Sequence, residues 1–184
     1  MASPTFEELL ASLKRAAAVL RDADIPFAVG GGFATWARGA PPSDHDVDLM
    51  IKEGDVESAV AALGRAGMRP ERPPEDWLMK VYDGDCMIDL IFRPTGLPIN
   101  DEVLAEVPTC KVEAMELPVL RVEDVLVTKL LSLTEHHLDY GGILEPARAL
   151  REQVDWEEVR ARTKKSPFAR AFFTLAEDLG IIDG

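Results

Sequence analysis

The stretch SDHDVDLMI at residues 43–51 restricts the fold more than any other feature, because three aspartates on alternate positions lead directly into apolar residues. Side chains alternate between the two faces of a β-strand, so Asp46 and Asp48 project to one side while Val47 points into the core. A turn or a helix cap needs one acidic residue here and not three, and like charges this close repel one another. We therefore predict a β-strand over residues 47–51 whose acidic end meets a positive charge.

Composition narrows the class of protein. The 184 residues are 47% hydrophobic and 29% charged, which is typical of a folded domain. The net charge of −13 argues against a broad surface for nucleic acid or anionic membrane, although it leaves room for a local positive groove. Two cysteines imply no disulfide framework. Because there is neither a signal-like N-terminus nor a long apolar run, we expect a cytoplasmic protein without a membrane segment.

Hydrophobic periodicity predicts a mixed α/β domain, of the α+β type, in which helices flank a sheet and a helical portion follows it. Strands are expected at residues 27–29, 47–51, 77–82, 86–92 and 112–117, with a hairpin turn at Asp83-Gly84. Helices are expected between Thr5 and Ile25 and at residues 33–38, 56–66, 125–133, 143–151, 156–162 and 168–179. A division near Arg121 separates an α/β core over residues 1–120 from a helical portion over residues 121–184, unless the two form one continuous domain.

The acidic end of the second strand has the chemistry of a metal site. Positions two residues apart along a strand are roughly 7 Å apart, so the carboxylates of Asp46 and Asp48 can swing together onto a cation. Hard oxygen ligands on a rigid element suit Mg²⁺ or Mn²⁺. Asp89 is a lone charge within CMIDLIF at residues 86–92, and burying a carboxylate is costly unless it is paired or bound to a metal. If the two strands are neighbours, the three aspartates form a triad.

A glycine-rich turn precedes the triad. Gly30, Gly31 and Gly32 follow a predicted strand and open a helix, and the last of them lies fourteen residues before Asp46. Without side chains in the way, backbone N–H groups in such a turn can approach a phosphate. The turn and the carboxylates together predict a nucleoside triphosphate site, with amides on the phosphates, two metal ions on the three carboxylates and in-line attack at phosphorus.

The sequence VGGGFATWARGAPPSDHDVDLMI at residues 29–51 resembles the signature of the DNA polymerase β-like nucleotidyltransferase superfamily. That signature has a Gly-Gly or Gly-Ser turn, a helix, two aspartates on alternate positions of the next strand and a third on a later strand. Gly31-Gly32, Asp46, Asp48 and Asp89 match it. The resemblance implies that Asp46 and Asp48 bind metal, and that Asp89 binds metal and helps to activate the acceptor hydroxyl.

The C-terminal part is similar to that of small bacterial members, which include antibiotic nucleotidyltransferases and toxin-type enzymes. A helix resembling VEDVLVTKLLSL at residues 122–133 carries a lysine in those proteins, and an aspartate follows. The resemblance implies that Lys129 contacts the triphosphate and that Asp139 lies at the edge of the site. The chain departs from the pattern at Asp44-His45, where a basic residue or threonine is frequent, and at Phe33, where a serine donor is missing.

Plainer interpretations remain for several of these residues. Asp44 suits a turn after two prolines as well as it suits a metal contact. For Lys129, a lysine whose stem lies along the helix surface is a commoner arrangement than a phosphate ligand. His136 and His137 are adjacent, so on a helix they point in different directions and do not form a close metal pair. Trp77 is either a partly buried anchor or a platform for a base.

These observations predict a metal-dependent nucleotidyltransferase that moves a nucleoside monophosphate from a triphosphate such as ATP to a hydroxyl group and releases pyrophosphate. An acidic surface attracts cationic substrates, which favours a small cationic acceptor over a protein or the end of a tRNA. The alternative is a catalytically silent member that binds nucleotide or a partner protein. Carboxylates that lie far apart, or that are occupied by lysine or arginine, would favour that alternative.

Overall fold

A five-stranded mixed sheet is the frame of the computed structural model, which describes residues 3–42 and 45–183. Its strands run in the order β1-β2-β5-β4-β3, and β2 pairs with β5 in parallel while the other neighbours are antiparallel. Strands β6 and β7 follow in the sequence and form a separate two-stranded antiparallel hairpin. The strands are β1 Phe27–Val29, β2 Val47–Ile51, β3 Arg69–Glu71, β4 Leu78–Asp83, β5 Cys86–Ile91, β6 Thr109–Val112 and β7 Met115–Pro118.

Eight α-helices accompany these strands in the described part of the chain. They are α1 Phe6–Asp22, α2 Gly31–Trp36, α3 Val56–Arg65, α4 Asp101–Glu106, α5 Val122–Ser132, α6 Gly141–Leu150, α7 Trp156–Thr163 and α8 Pro167–Asp178. The first begins at a capping box, in which Thr5 Oγ1 accepts from the Glu8 N–H while the Glu8 carboxylate accepts from the Thr5 N–H at 2.7 Å. In the described residues, no helix is both long and apolar enough to cross a bilayer.

Two clusters of buried apolar side chains hold the elements together. One lies between the sheet and helices α1 and α3, and the other lies among the C-terminal helices. Helix α5 joins them, because Val125 belongs to the first cluster while Leu126 and Leu130 belong to the second. The mixed sheet with flanking helices and a helical C-terminal portion confirms the predicted fold class, whereas the division near Arg121 stays a prediction.

Several local expectations differ from the structure. Residues 112–117 were expected to form one strand, but β6 and β7 form a hairpin that turns at Glu113, whose φ is 52°. The hairpin of β4 and β5 turns at Gly84 and Asp85, one residue later than expected, because Asp83 pairs with Cys86. Strand β3 and helix α4 were not expected. Both are exposed or only partly buried along their length, so they leave no apolar period to detect.

Candidate active site

The sheet brings the three predicted aspartates together on one face. Asp48 of β2 is directly paired with Asp89 of β5, and paired residues of neighbouring strands project to the same side. Asp46 lies two positions before Asp48 and shares that side. One carboxylate oxygen from each residue lies within 4.8 Å of the others. The predicted neighbourhood of β2 and β5 is therefore present. Asp44 falls outside the described residues.

This cluster carries more negative charge than its surroundings balance. Burial, together with the nearby charges of Asp46 and Asp89, raises the pKa of Asp48 to about 7, against the opposing effect of Lys129 and Lys80. Burial also raises the pKa of Asp89, although the hydrogen bond and charge of Lys80 lower it. The carboxylates therefore favour a further positive charge beside them, in the form of a proton or a cation.

Lys80 is a member of the site that sequence reasoning missed. In the antiparallel pair of β4 and β5 it stands directly opposite Asp89. Its Nζ donates to both carboxylate oxygens, at 3.0 Å to Oδ1 and 3.2 Å to Oδ2. The sequence does carry a sign of this role, because Lys80 is a lone charge in a predicted apolar strand. A two-residue turn at Asp83-Gly84 would have placed Met87 opposite Lys80. The observed turn lies one residue later, which moves the residue opposite Lys80 by two positions, to Asp89.

The glycine turn lies directly against the cluster. Gly30 donates its backbone N–H to the carbonyl oxygen of Asp48 at 2.9 Å. Gly31 has a φ of 51°, and a Cβ at that position would lie 1.6 Å from Oδ2 of Asp48. Glycine is therefore required there for its backbone conformation and for the space that the carboxylate occupies. Helix α2 begins at Gly31 rather than at Phe33 as predicted, and Gly32 continues its first turn.

A cavity of about 410 Å³ opens from this turn toward helix α5. Gly31 and Asp48 lie in its wall together with Lys129 and with Trp77, whose side chain is 39% exposed. Its volume falls within the range of about 300–1,000 Å³ that small-molecule sites occupy. Across residues 3–42 and 45–183, no hydrogen bond or ion pair engages the Lys129 ammonium, although its charge acts on Asp48. The structure thus brings Lys129 to the cavity that Asp48 lines.

Asp139 shares cavity walls with Lys129 and lies outside the carboxylate cluster. Two smaller cavities, of about 160 and 220 Å³, are each lined by both Lys129 and Asp139. The Asp139 carboxylate accepts a hydrogen bond from the Gly142 N–H at 3.3 Å, at the start of helix α6. It does not belong to the carboxylate cluster, so the structure places it beside the lysine rather than beside the triad.

The donor set fits a hard divalent cation. Asp46, Asp48 and Asp89 offer only oxygen atoms, which Mg²⁺ and Mn²⁺ prefer, and they stand close enough to share an ion. Among the residues that the structure describes, no other group of three histidine, cysteine, aspartate or glutamate side chains has this property.

Comparison with known proteins identifies a sequence family and structures of similar fold. A sequence family described as "Uncharacterised nucleotidyltransferase" matches residues 7–181. The crystal structure of ANT(2'')-Ia in complex with adenylyl-2''-tobramycin has a TM-score of 0.66 at 16% identity and covers 89% of this chain and 98% of that one. The solution structure of the antibiotic-resistance factor ANT(2'')-Ia has a TM-score of 0.67, also at 16% identity, over 96% and 98% of the two chains.

A third structure is similar over most of its length. The lincomycin-bound lincosamide antibiotic adenylyltransferase LnuA has a TM-score of 0.53 at 13% identity and covers 88% of this chain and all of that one. No curated protein sequence matches the chain. At such identities the three structures establish the fold, and they confirm the predicted resemblance to small bacterial antibiotic nucleotidyltransferases of the DNA polymerase β type. The chain belongs to the nucleotidyltransferase family that matches residues 7–181.

Proposed function

We propose that the protein transfers a nucleoside monophosphate from a nucleoside triphosphate to a hydroxyl group and releases pyrophosphate. The observation that carries this proposal is the convergence of Asp46, Asp48 and Asp89 within 4.8 Å, beside a glycine turn and a cavity. Membership of a nucleotidyltransferase family supports the reaction class.

The proposed centre is completed by Mg²⁺ or Mn²⁺. Asp46 and Asp48 would hold the ion, and Asp89 would either join them as a third ligand or face the acceptor hydroxyl. When bound, such an ion neutralises the triphosphate and polarises the reacting phosphorus centre. The raised pKa of Asp48, caused by burial and then by Asp46 and Asp89, supports this proposal, because the cluster already favours an added positive charge.

The chain's own residues account for the remaining steps. Backbone N–H groups of Gly31 and Gly32 donate to the phosphates, and the Lys129 ammonium, which lines the same cavity as Gly31, neutralises the triphosphate. The acceptor oxygen bonds to the α-phosphorus as the bond from that phosphorus to the bridging oxygen breaks. Pyrophosphate then leaves, and the hydroxyl proton passes to Asp89 and on to solvent.

We propose a small cationic molecule as the acceptor. The net charge of −13 attracts cations, and Asp139 adds a carboxylate to the two cavities beside Lys129. ANT(2'')-Ia was solved with adenylyl-2''-tobramycin and LnuA with lincomycin, which supports a small hydroxylated acceptor here. The second choice of acceptor is a protein or the end of a tRNA. If the acceptor is RNA, the affinity of the protein for it should fall steeply as the salt concentration rises. ATP is the first nucleotide to test. We also propose a cytoplasmic location, because the two cysteines, Cys86 and Cys110, are free thiols.

One observation favours the second candidate, a silent member that binds nucleotide or a partner and does not catalyse nucleotidyl transfer. Lys80 occupies both oxygens of Asp89, and occupancy by lysine was the expected mark of such a protein. Against it, the three carboxylates lie together rather than apart. A silent member that binds nucleotide would therefore differ from the enzyme in transfer and not in nucleotide binding.

A thermal-shift titration followed by label transfer separates these possibilities. The wild-type protein is expected to gain stability with NTP and Mg²⁺ or Mn²⁺ together, and to pass label from an α-labelled NTP to an aminoglycoside, a lincosamide or a fraction of cell extract. Asp48→Asn should lose both effects, whereas Asp101→Asn, a control whose side chain is 83% exposed, should keep them. Stabilisation without transfer to small solutes, protein or RNA would identify the silent member. The absence of stabilisation by every NTP would overturn both nucleotidyl transfer and nucleotide binding, and would leave only a silent member that binds a partner protein.

A further inference from the structure

Lys80 extends the row of carboxylates across the sheet by one strand. It is paired with Asp89 of β5, which is in turn paired with Asp48 of β2. Directly paired residues project to the same face, so an ammonium group and the carboxylates share one surface. The Lys80 Nζ lies 3.0 and 3.2 Å from the two Asp89 oxygens, which gives Asp89 a cation partner before any metal ion is considered.

The surroundings fix this ammonium in place. Its Nζ also donates to Met87 Sδ at 3.3 Å, and the Tyr82 hydroxyl donates to the same sulfur at 3.8 Å. The side chains of Lys80 and Asp89 are only 22% and 9% exposed. Within the described ranges, Asp89 is the one carboxylate in ion-pair contact with Lys80. The positive charge is therefore a built-in part of the cluster rather than a mobile surface group.

Charge, rather than a shortage of donor atoms, opposes a second divalent ion here. Each Asp89 oxygen keeps a lone pair after it accepts from Lys80. However, before the triphosphate and Lys129 are counted, three carboxylates and one ammonium leave only two net negative charges, and a second ion on Asp89 would have to share that carboxylate with the Lys80 ammonium. Because the Lys80 Nζ lies 3.0 and 3.2 Å from the two Asp89 oxygens, a divalent ion bound to those oxygens would lie close to the ammonium and be repelled by it.

We propose that Lys80 takes the place of the second divalent ion, so that the centre binds one ion on Asp46 and Asp48. The Lys80–Asp89 pair then faces the acceptor hydroxyl, with Asp89 as its hydrogen-bond acceptor and Lys80 as the fixed positive charge on that side. This inference rests on the proposed nucleotidyl transfer and decides between the two roles left open for Asp89. It also gives the lysine a function within an active enzyme.

Counting bound Mn²⁺ by electron paramagnetic resonance tests the inference without reference to activity. The protein is saturated with a triphosphate whose α–β bridge is methylene and resists cleavage. The wild type is expected to bind one Mn²⁺ per chain with an uncoupled spectrum. Lys80→Met should double the bound Mn²⁺, and the two neighbouring ions should broaden the spectrum through spin coupling. Lys52→Met is the matched control, because Lys52 is 26% exposed and pairs with Asp101 and Asp55, and it should bind one ion.

Two bound ions in the wild type would overturn the inference, and so would a count of one in a folded Lys80→Met variant. If Lys80→Met does not fold, Lys80→Gln removes the charge and keeps a polar, hydrogen-bonding end, and the wild-type count remains decisive by itself. Wild-type protein that binds neither Mn²⁺ nor the triphosphate would instead refute the proposed function, and with it this inference. The Mn²⁺ count and the triphosphate binding together therefore show which of the two proposals fails.

Discussion

Replacing Gly31 by alanine tests how tightly the glycine turn and the carboxylate cluster are joined. Gly31 has a φ of 51°, and an added Cβ would lie 1.6 Å from Oδ2 and 2.7 Å from Cγ of Asp48. Gly84 is a matched control, because its φ is 62° and a Cβ there would meet no atom within 4 Å. Both variants force alanine into the left-handed region, but only Gly31→Ala also creates a clash.

The expected magnitudes follow from these two terms. The left-handed conformation costs a residue with a side chain roughly 1–2 kcal/mol, so Gly84→Ala should lower the free energy of unfolding by about that amount. Overpacking typically costs a further 1–3 kcal/mol or so, so Gly31→Ala should lose about 2–5 kcal/mol in total. Since the clash is relieved by moving the Asp48 carboxylate, Gly31→Ala should also weaken Mn²⁺ binding by at least about tenfold, or roughly 1.4 kcal/mol.

Urea denaturation followed by circular dichroism measures the first quantity, and Mn²⁺ titration measures the second. Gly84→Ala is expected to bind Mn²⁺ as the wild type does. Equal destabilisation of the two variants, with Mn²⁺ binding intact in both, would refute the reasoning, because it would mean that the Asp48 carboxylate does not rest against Gly31.

Three further predictions concern the same site. In EDTA, the free energy of unfolding of the wild type should fall as pH rises from about 4 to 7. The reason is that folding raises the pKa of Asp48 from 3.8 to about 7, so the native state holds a proton that the unfolded state has lost. The loss attributable to this group is at most about 4 kcal/mol, and Asp48→Asn, measured by urea denaturation, should flatten this pH dependence. Lys129→Met should weaken triphosphate binding about tenfold in calorimetry and change the free energy of unfolding by less than about 0.5 kcal/mol, and an intact affinity would remove this lysine from the phosphate site. Trp77→Ala should weaken NTP binding by about 1–3 kcal/mol if the ring stacks on the base, and quenching of its fluorescence by NTP in the wild type is the independent check; no quenching would leave Trp77 as an anchor only.

Much of the site could be predicted because it depends on local pattern. Alternation along residues 46–51 assigns Asp46 and Asp48 to one face, and the cost of burying a lone carboxylate singles out Asp89. The glycine turn is visible because Gly31 occupies a backbone conformation that few other residues tolerate. Each of these signals needs only a few neighbouring residues.

The pairing of Lys80 with Asp89 could not be obtained in that way. Alternation tells which face a side chain uses, but the partner across a hairpin depends on which two residues form the turn. Choosing Asp83-Gly84 instead of Gly84-Asp85 shifts every partner by two positions. The contact between Asp139 and Gly142 is likewise a matter of loop geometry, and the exposed strand β3 has no apolar period to reveal it.

The most direct test of nucleotidyl transfer compares ATP labelled at the α-phosphate with ATP labelled at the γ-phosphate, in the presence of Mg²⁺ and a hydroxylated acceptor. The account predicts that the α-label moves to the acceptor and that the γ-label appears only in pyrophosphate. Both transfers should be abolished by EDTA and by Asp48→Asn. Transfer of the γ-label to the acceptor, or α-label transfer that survives Asp48→Asn, would contradict the role assigned to the carboxylate cluster.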